Sequence, residues 1–251
     1  MSGRRLYAIY SLACLLGFIS KGNIHTKSTL NSKQKYQRLI FRKEILQVLI
    51  SGALIAMLIQ GTLTSTISFA IEFHFSKHFY VFSLLIGATS LAGFLQAMRW
   101  SWEPFLARMF GSWSDGPKGR LPPFLISLCI ASLGFIGITW KLPIMIWVTF
   151  PFITLLAATA LTTLIDSIAA DMAAKTDTQT VMTYHSVSLD LGAALGPFIS
   201  YILIELNHGL YITYFGGAFI FICLFVWWIF EDRRIKNYLD KSKIIDDEVG
   251  I

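Results

Sequence analysis

Two ionisable side chains stand four residues apart inside an apolar stretch of this sequence. Arg99 and Glu103 lie in the segment MRWSWEPFLARMF, and their spacing places them on one face of a helix. They can therefore pair, which offsets part of the cost of removing each charge from water. The pair fits two roles. Either it lines a cavity, together with Gln96 one turn earlier, or it is a self-neutralising structural pair near the lipid headgroups.

A third ionisable group is the lone carboxylate of Asp190, in the apolar segment VSLDLGAALGP. An isolated acid in such a place either takes up a proton or finds a basic partner on another helix, and Arg99 is the candidate partner. Alternatively, Asp190 lies in the first turns of its helix and is stabilised by the helix dipole.

Other polar residues indicate simpler roles. Solvated or capping positions are the preferred interpretation for three aspartates: Asp166, Asp171 and Asp177. His74 and His78 have a spacing that could hold a metal, but we expect them, like His185, to be interfacial. We predict no metal site and no cofactor. Since G-x-S-x-G and H-E-x-x-H motifs are absent, we also predict that the protein is not an enzyme.

The composition indicates that these residues are surrounded by lipid. Of the 251 residues, 55% are hydrophobic and only 14% are charged. Several apolar stretches reach about 20 residues, the length that crosses a bilayer as a helix. We therefore predict an all-α polytopic membrane protein. Its predicted spans are residues 6–20, 45–72, 80–107, 121–140, 143–165, 184–205 and 209–230.

The net charge of +6 is distributed as in a membrane protein and not as in a nucleic-acid binder. The basic residues gather in short polar segments between the apolar stretches, as expected of cytoplasmic loops. The predicted organisation has four parts. They are a short N-terminal transmembrane helix at residues 1–20, a basic cytoplasmic linker at 21–44, a six-helix bundle at 45–230 and a charged cytoplasmic tail at 231–251.

Small residues predict close packing of one of these helices. Gly192 and Gly196 form a G-x-x-x-G pair, which lets a neighbouring helix approach closely. Pro197 follows directly and can kink the helix.

Three motifs resemble those of the major facilitator superfamily. The segment GSWSDGPKGR resembles the family's cytoplasmic loop G-x-x-x-D-[RK]-x-G-[RK]-[RK], although the turn here is one residue longer. DLGAALGP is similar to the eleventh helix of bacterial members, and DSIAADMA to the end of the tenth. The residues that match the loop are Gly111, Asp115, Lys118, Gly119 and Arg120.

This resemblance implies a C-terminal half, with helices seven to twelve as a six-helix bundle and residues 1–20 as the remainder of helix six. It implies a secondary carrier, in a half-length or truncated form, that moves a small solute by alternating access and is coupled to protons. Arg99, Glu103, Gln96 and Asp190 would line the cavity, and the loop would form a cytoplasmic gate.

The implied partners are a small-molecule substrate, H⁺, the lipid bilayer, and a second half-transporter or a second copy of this chain. The implied location is the bacterial inner membrane, with a cytoplasmic C-terminus. The alternative is a membrane scaffold or interaction subunit without transport.

Overall fold

The computed structural model describes residues 43–76, 78–81, 84–114, 119–174 and 177–249. The predicted helix at residues 1–20 and nearly all of the predicted linker lie outside this part. The described residues form seven helices and two strands. They are α1 Lys43–Phe75, β1 His78–Val81, β2 Leu84–Gly87, α2 Ala88–Ser114, α3 Leu121–Ile138, α4 Ile144–Trp147, α5 Thr149–Ala174, α6 Thr178–Ile204 and α7 Gly209–Val249.

Five helical segments in the described part of the chain are long and apolar enough to cross a membrane: Lys43–Phe75, Leu121–Ile138, Ile144–Ala174, Thr178–Ile204 and Gly209–Phe230. The third of them joins α4 to α5. The 27 residues of α2 make it about 40 Å long, which is sufficient in length, but its composition is more polar. The predicted all-α polytopic fold is therefore confirmed.

The start of α2 differs from the prediction. Residues 80–107 were expected to form a span, but β1 and β2 form an antiparallel hairpin, and α2 begins only at Ala88. The sequences HFYV and LLIG are rich in aromatic and branched residues, which favour strands. A continuous apolar run fits a strand and a helix equally well, so the pattern alone cannot distinguish them.

Local signals explain where several helices begin. Asp177 is the N-cap of α6, and its carboxylate accepts hydrogen bonds from the backbone N–H and the hydroxyl of Thr180, which confirms the predicted capping role. Pro122 and Pro123 stand in the first turn of α3, where no backbone N–H is needed. Gly119 precedes this helix with a φ of +71°, a conformation that suits glycine.

The core of the bundle is built around α3, which packs against both α5 and α7. Gly134 lies against Thr154 of α5, and Gly217 of α7 lies against Phe135. Tyr214 is fully buried beside the same phenylalanine. Through these close contacts, α3 connects α7 to α5.

The second main packing contact of the bundle is the one between α1 and α6. Residues Met57–Leu63 of α1 form a π-helical segment, and this segment packs directly on α6. A Cβ atom built on Gly61 would lie 2.5 Å from the Cα atom of Gly196, so the two backbones touch. One turn earlier on α6, Gly192 lies against the backbone of Ala53. The helix α6 continues through Pro197.

Candidate functional site

A polar cavity of about 550 Å³ lies where α1, α2, α5 and α6 meet. Six of its lining residues carry polar side chains: Gln60, Glu103, Thr162, Thr163, Asp166 and Ser167. Apolar side chains complete the wall: Ala107, Ala170 and Met182. Two carboxyl groups from different helices therefore face one space.

The π-helical segment of α1 positions the first of these residues. Gln60 is exposed at the cavity, while the next residue, Gly61, is buried against α6. In such a segment the backbone hydrogen bonds reach one residue further, and the hydroxyl of Thr64 likewise donates to the carbonyl of Ile59, five residues earlier, at 3.0 Å. Segments of this kind occur frequently at functional sites.

α5 supplies four of the polar residues, at helical positions that lie on one face. Thr162 donates its hydroxyl hydrogen to backbone carbonyls of its own helix, at 3.1 Å from the carbonyl oxygen of Ala158. Thr163 does the same towards Thr159, at 2.8 Å. Because these hydroxyl hydrogens are already used, both threonines present oxygen lone pairs to the cavity. They act there as acceptors.

Asp166 and His185 form a link between α5 and α6 at the cavity wall. The Nε2 atom of His185 lies 2.8 Å from Oδ1 of Asp166. The imidazole is 2% exposed, whereas the carboxylate is 53% exposed. A Cβ atom on Gly52 of α1 would lie only 3.1 Å from Cε1 of His185, so the absence of a side chain there makes room for the ring.

This arrangement corrects one expectation and adds to another. His185 is not an interfacial residue but a buried one. Asp166 is solvated, as expected, and it is also hydrogen-bonded to His185. The two residues are 19 positions apart in the sequence, and only the packing of α5 on α6 brings them together.

The Arg99 and Glu103 pair lies on α2 beside the cavity. Glu103 lines the cavity, but Arg99 is 3% exposed and is not among the lining residues. Arg99 interacts electrostatically with Glu103, yet no ion pair within 4.0 Å joins them in the described part of the chain. Buried atoms of both residues and of Gln96, namely Arg99 Nε, Glu103 Oε2 and Gln96 Nε2, have no hydrogen-bond partner among the described residues.

Asp190 lies apart from these residues. It is exposed on α6, whereas Gly192 and Gly196 are buried on the side that faces α1. In the part of the chain that is described, Asp190 forms no ion pair with Arg99, and it does not line the cavity. The partnership considered from the sequence is therefore not formed within this bundle.

The predicted gate loop is described only at its two ends. Asp115 and Lys118 lie outside the described residues, while Gly111 belongs to the last turn of α2. At the other end, Nε of Arg120 lies 3.2 Å from Oδ2 of Asp171. This ion pair joins the start of α3 to the end of α5. The carboxylate of Asp171 is 53% exposed, as expected of a solvated acid, and it also has Arg120 as a partner.

Sequence reasoning missed the uncharged part of the cavity. Gln60, Thr162, Thr163 and Ser167 were not predicted as lining residues. A signal was present for three of them, because LTTLIDS places polar residues at positions i, i+1, i+4 and i+5 of an otherwise apolar helix. The position of Gln60 depends on the π-helical segment, for which the sequence carries no such signal.

These features define a polytopic membrane protein with an open, polar cavity lined by several of its helices. The sequence profile of the Major Facilitator Superfamily matches residues 104–243, which is more than half of the chain. The chain therefore belongs to the Major Facilitator Superfamily, as the motifs predict, and it is a membrane transporter of this family's kind. Members of the family move small solutes and are not enzymes. No curated protein and no solved structure gives a match.

Proposed function

We propose that the protein carries a small solute across the membrane by alternating access, through the cavity between α1, α2, α5 and α6. The cavity itself is the observation that carries this proposal. Polar side chains of three helices converge there, and two of them, Glu103 and Asp166, are acids. Polar groups inside a membrane bundle are costly, and they typically mark the path of a solute or ion.

The lining residues place the cavity towards one end of the bundle. Its wall includes Ala170 and Met182, four residues from the end of α5 and the start of α6, and Ala107 in the last third of α2. The distribution of basic residues favours the cytoplasmic side for this end of the bundle and for residues 231–251. The proposed state is open to the cytoplasm. The likeness of DLGAALGP to bacterial members favours a bacterial inner membrane.

Proton coupling is the second part of the proposal. The carboxylate of Asp166 is half exposed to the cavity and is hydrogen-bonded to the buried imidazole of His185. Such a pair can bind and release a proton as a solute enters and leaves. Glu103 is the other acid of the cavity, and Arg99 on the preceding turn interacts with it electrostatically.

A partner surface on α6 is the third part. Asp190 is exposed on a helix that crosses the membrane, and a charge facing lipid there would be expensive. We infer that Asp190 faces another transporter half or a second copy of this chain. The gate would form on the same side as the cavity opening, with Asp115 and Lys118 contacting that partner and Arg120 held by Asp171.

Cysteine labelling tests alternating access without knowledge of the solute. The full chain is expressed with its three native cysteines replaced by alanine and with Thr163→Cys in the cavity wall. Membrane-impermeant maleimide is applied to sealed vesicles of either orientation. We expect labelling from both sides, because each state of a carrier opens the cavity to one side.

The control is Leu133→Cys, at an outer position of α3 that is 66% exposed in the bundle. We expect no labelling there, since lipid covers that face. Labelling of the cavity cysteine from one side only would refute alternating access and favour the scaffold alternative.

A further inference from the structure

We propose that the cavity between α1, α2, α5 and α6 takes a cationic solute with hydrogen-bond donors, such as a small organic amine. This inference rests on the proposed transport function and names the chemical class of the solute. Three features of the cavity carry it: the charge of its wall, the hydrogen-bonding character of its hydroxyl groups, and the placement of the nearby basic residues.

The charge of the wall is negative. Glu103 and Asp166 both line the cavity, from α2 and α5 respectively. Among the described residues that line it, none is a lysine, an arginine or a histidine. A cleft lined by one sign of charge and surrounded by apolar walls concentrates ions of the opposite sign. An anionic solute would meet two carboxylates and no cation.

The hydroxyl groups of the wall also favour a cationic solute with hydrogen-bond donors. The hydrogens of Thr162 and Thr163 are used by backbone carbonyls of α5, so these side chains offer lone pairs only. The second carboxylate oxygen of Asp166, Oδ2, is not used by His185 and is a further acceptor. Acceptors therefore outnumber donors, which matches an ammonium group with its N–H donors.

The two nearest basic residues do not offer their charges to a solute. Arg99 is 3% exposed and does not line the cavity, although its charge offsets part of that of Glu103. His185 directs Nε2 to Asp166, and its opposite edge is covered by α1 at Gly52. Neither residue therefore presents its charge to a solute in the cavity.

The wall also does not suit a sugar. A sugar would need as many donors as acceptors, and the described wall provides donors only through Gln60 and Ser167.

The local charge can be measured with a reporter cysteine. Ala170→Cys places a thiol in the cavity wall, one helical turn after Asp166, in the cysteine-free full chain. Its modification rates are compared for trimethylammonioethyl and sulfonatoethyl methanethiosulfonate, and their ratio is divided by the ratio for free mercaptoethanol. We expect the cationic reagent to be favoured about tenfold or more. A normalised ratio of one or less would overturn the proposal.

A matched pair of variants assigns this effect to the cavity acid. Glu103→Gln in the reporter background should lower the ratio several-fold. Glu205→Gln makes the same charge change at the exposed C-terminal end of α6 and should leave the ratio unchanged. Equal effects of the two variants would overturn the proposal. If Glu103→Gln does not fold, the ratio in the unsubstituted reporter protein still decides.

Solute class is tested directly by protection of the same thiol from N-ethylmaleimide. Three probes of matched shape are used: choline, uncharged 3,3-dimethylbutan-1-ol and anionic 3,3-dimethylbutanoate. We expect choline to slow modification more than either of the others. Protection by the alcohol or the anion to the same extent, or by none of the three, overturns the cationic class. Labelling of Thr163→Cys from both sides would still uphold transport, so the two proposals fail separately.

Discussion

Replacing Gly196 by alanine would add one methyl group where α6 touches the π-helical segment of α1. The new Cβ atom would lie 2.5 Å from Cα of Gly61 and 2.8 Å from the backbone nitrogen of Thr62. These are backbone atoms, so no side chain can rotate away and the helices must separate. Overpacking of this kind costs about 1–3 kcal/mol, and we take the upper end for a backbone neighbour. Alanine recovers about 0.5–1 kcal/mol through its greater helix propensity.

The expected result for Gly196→Ala is therefore a loss of about 2 kcal/mol in the free energy of unfolding. Gly216→Ala is the matched control, because the same change in α7 meets nothing within 4 Å and should gain up to about 1 kcal/mol. The assay is equilibrium unfolding of the purified full chain in mixed detergent micelles, followed by circular dichroism. Equal stability of the two variants would refute the close α1–α6 contact.

Three further predictions concern individual contacts. Asp166→Asn should cost about 1–2 kcal/mol in the same unfolding assay, because buried His185 loses a carboxylate acceptor, and no change would contradict the link between α5 and α6. Arg120→Ala should cost less than about 1 kcal/mol, since the ion pair with Asp171 is partly exposed; a loss above about 2 kcal/mol would show that this contact is more than a surface pair. Tyr214→Phe should cost about 0.5–1.5 kcal/mol through the loss of one buried hydrogen bond to α1, and a stability equal to wild type would contradict that bond.

Six of the seven predicted spans correspond to long helices in the described part of the chain, but the ends of these helices could not be predicted. Hydropathy detects the part of a helix that contacts lipid or the core, whereas α5 continues to Ala174 beyond its apolar stretch, and the helical backbone of α7 continues to Val249. The hairpin was missed for a related reason. Residues 78–87 are apolar enough for a span, and their preference for strands is visible only in the branched and aromatic side chains.

Charge was the most informative signal for the site, and it had a clear limit. Glu103 attracts notice because an acid in an apolar stretch requires an explanation. Its spacing from Arg99 suggested a pair, but the spacing cannot fix rotamers, and the structure separates the charges by more than an ion-pair distance. Asp166 lies near the end of an apolar stretch, where a solvated acid is common, so its partner His185 could not be foreseen.

The positions of the uncharged site residues depend still more on the fold. Gln60 faces the cavity because the π-helical segment turns the neighbouring Gly61 towards α6. The G-x-x-x-G pair in α6 predicts that some helix approaches closely, but the sequence cannot identify which one. That choice follows from the packing of the whole bundle, which brings α1 and α6 together across more than a hundred residues of chain.

Obstruction of the cavity tests the central claim, namely that the solute passes between α1, α2, α5 and α6. Thr163→Trp places a large side chain in the cavity. Leu133→Trp makes a comparable change on the outer face of α3. The solutes retained by cells expressing wild type and each variant at equal membrane levels are compared by untargeted mass spectrometry. We predict at least one solute whose level, relative to cells without the protein, changes on expression of wild type or Leu133→Trp. Its level should not change on expression of Thr163→Trp. The same change with Thr163→Trp would contradict transport through this cavity.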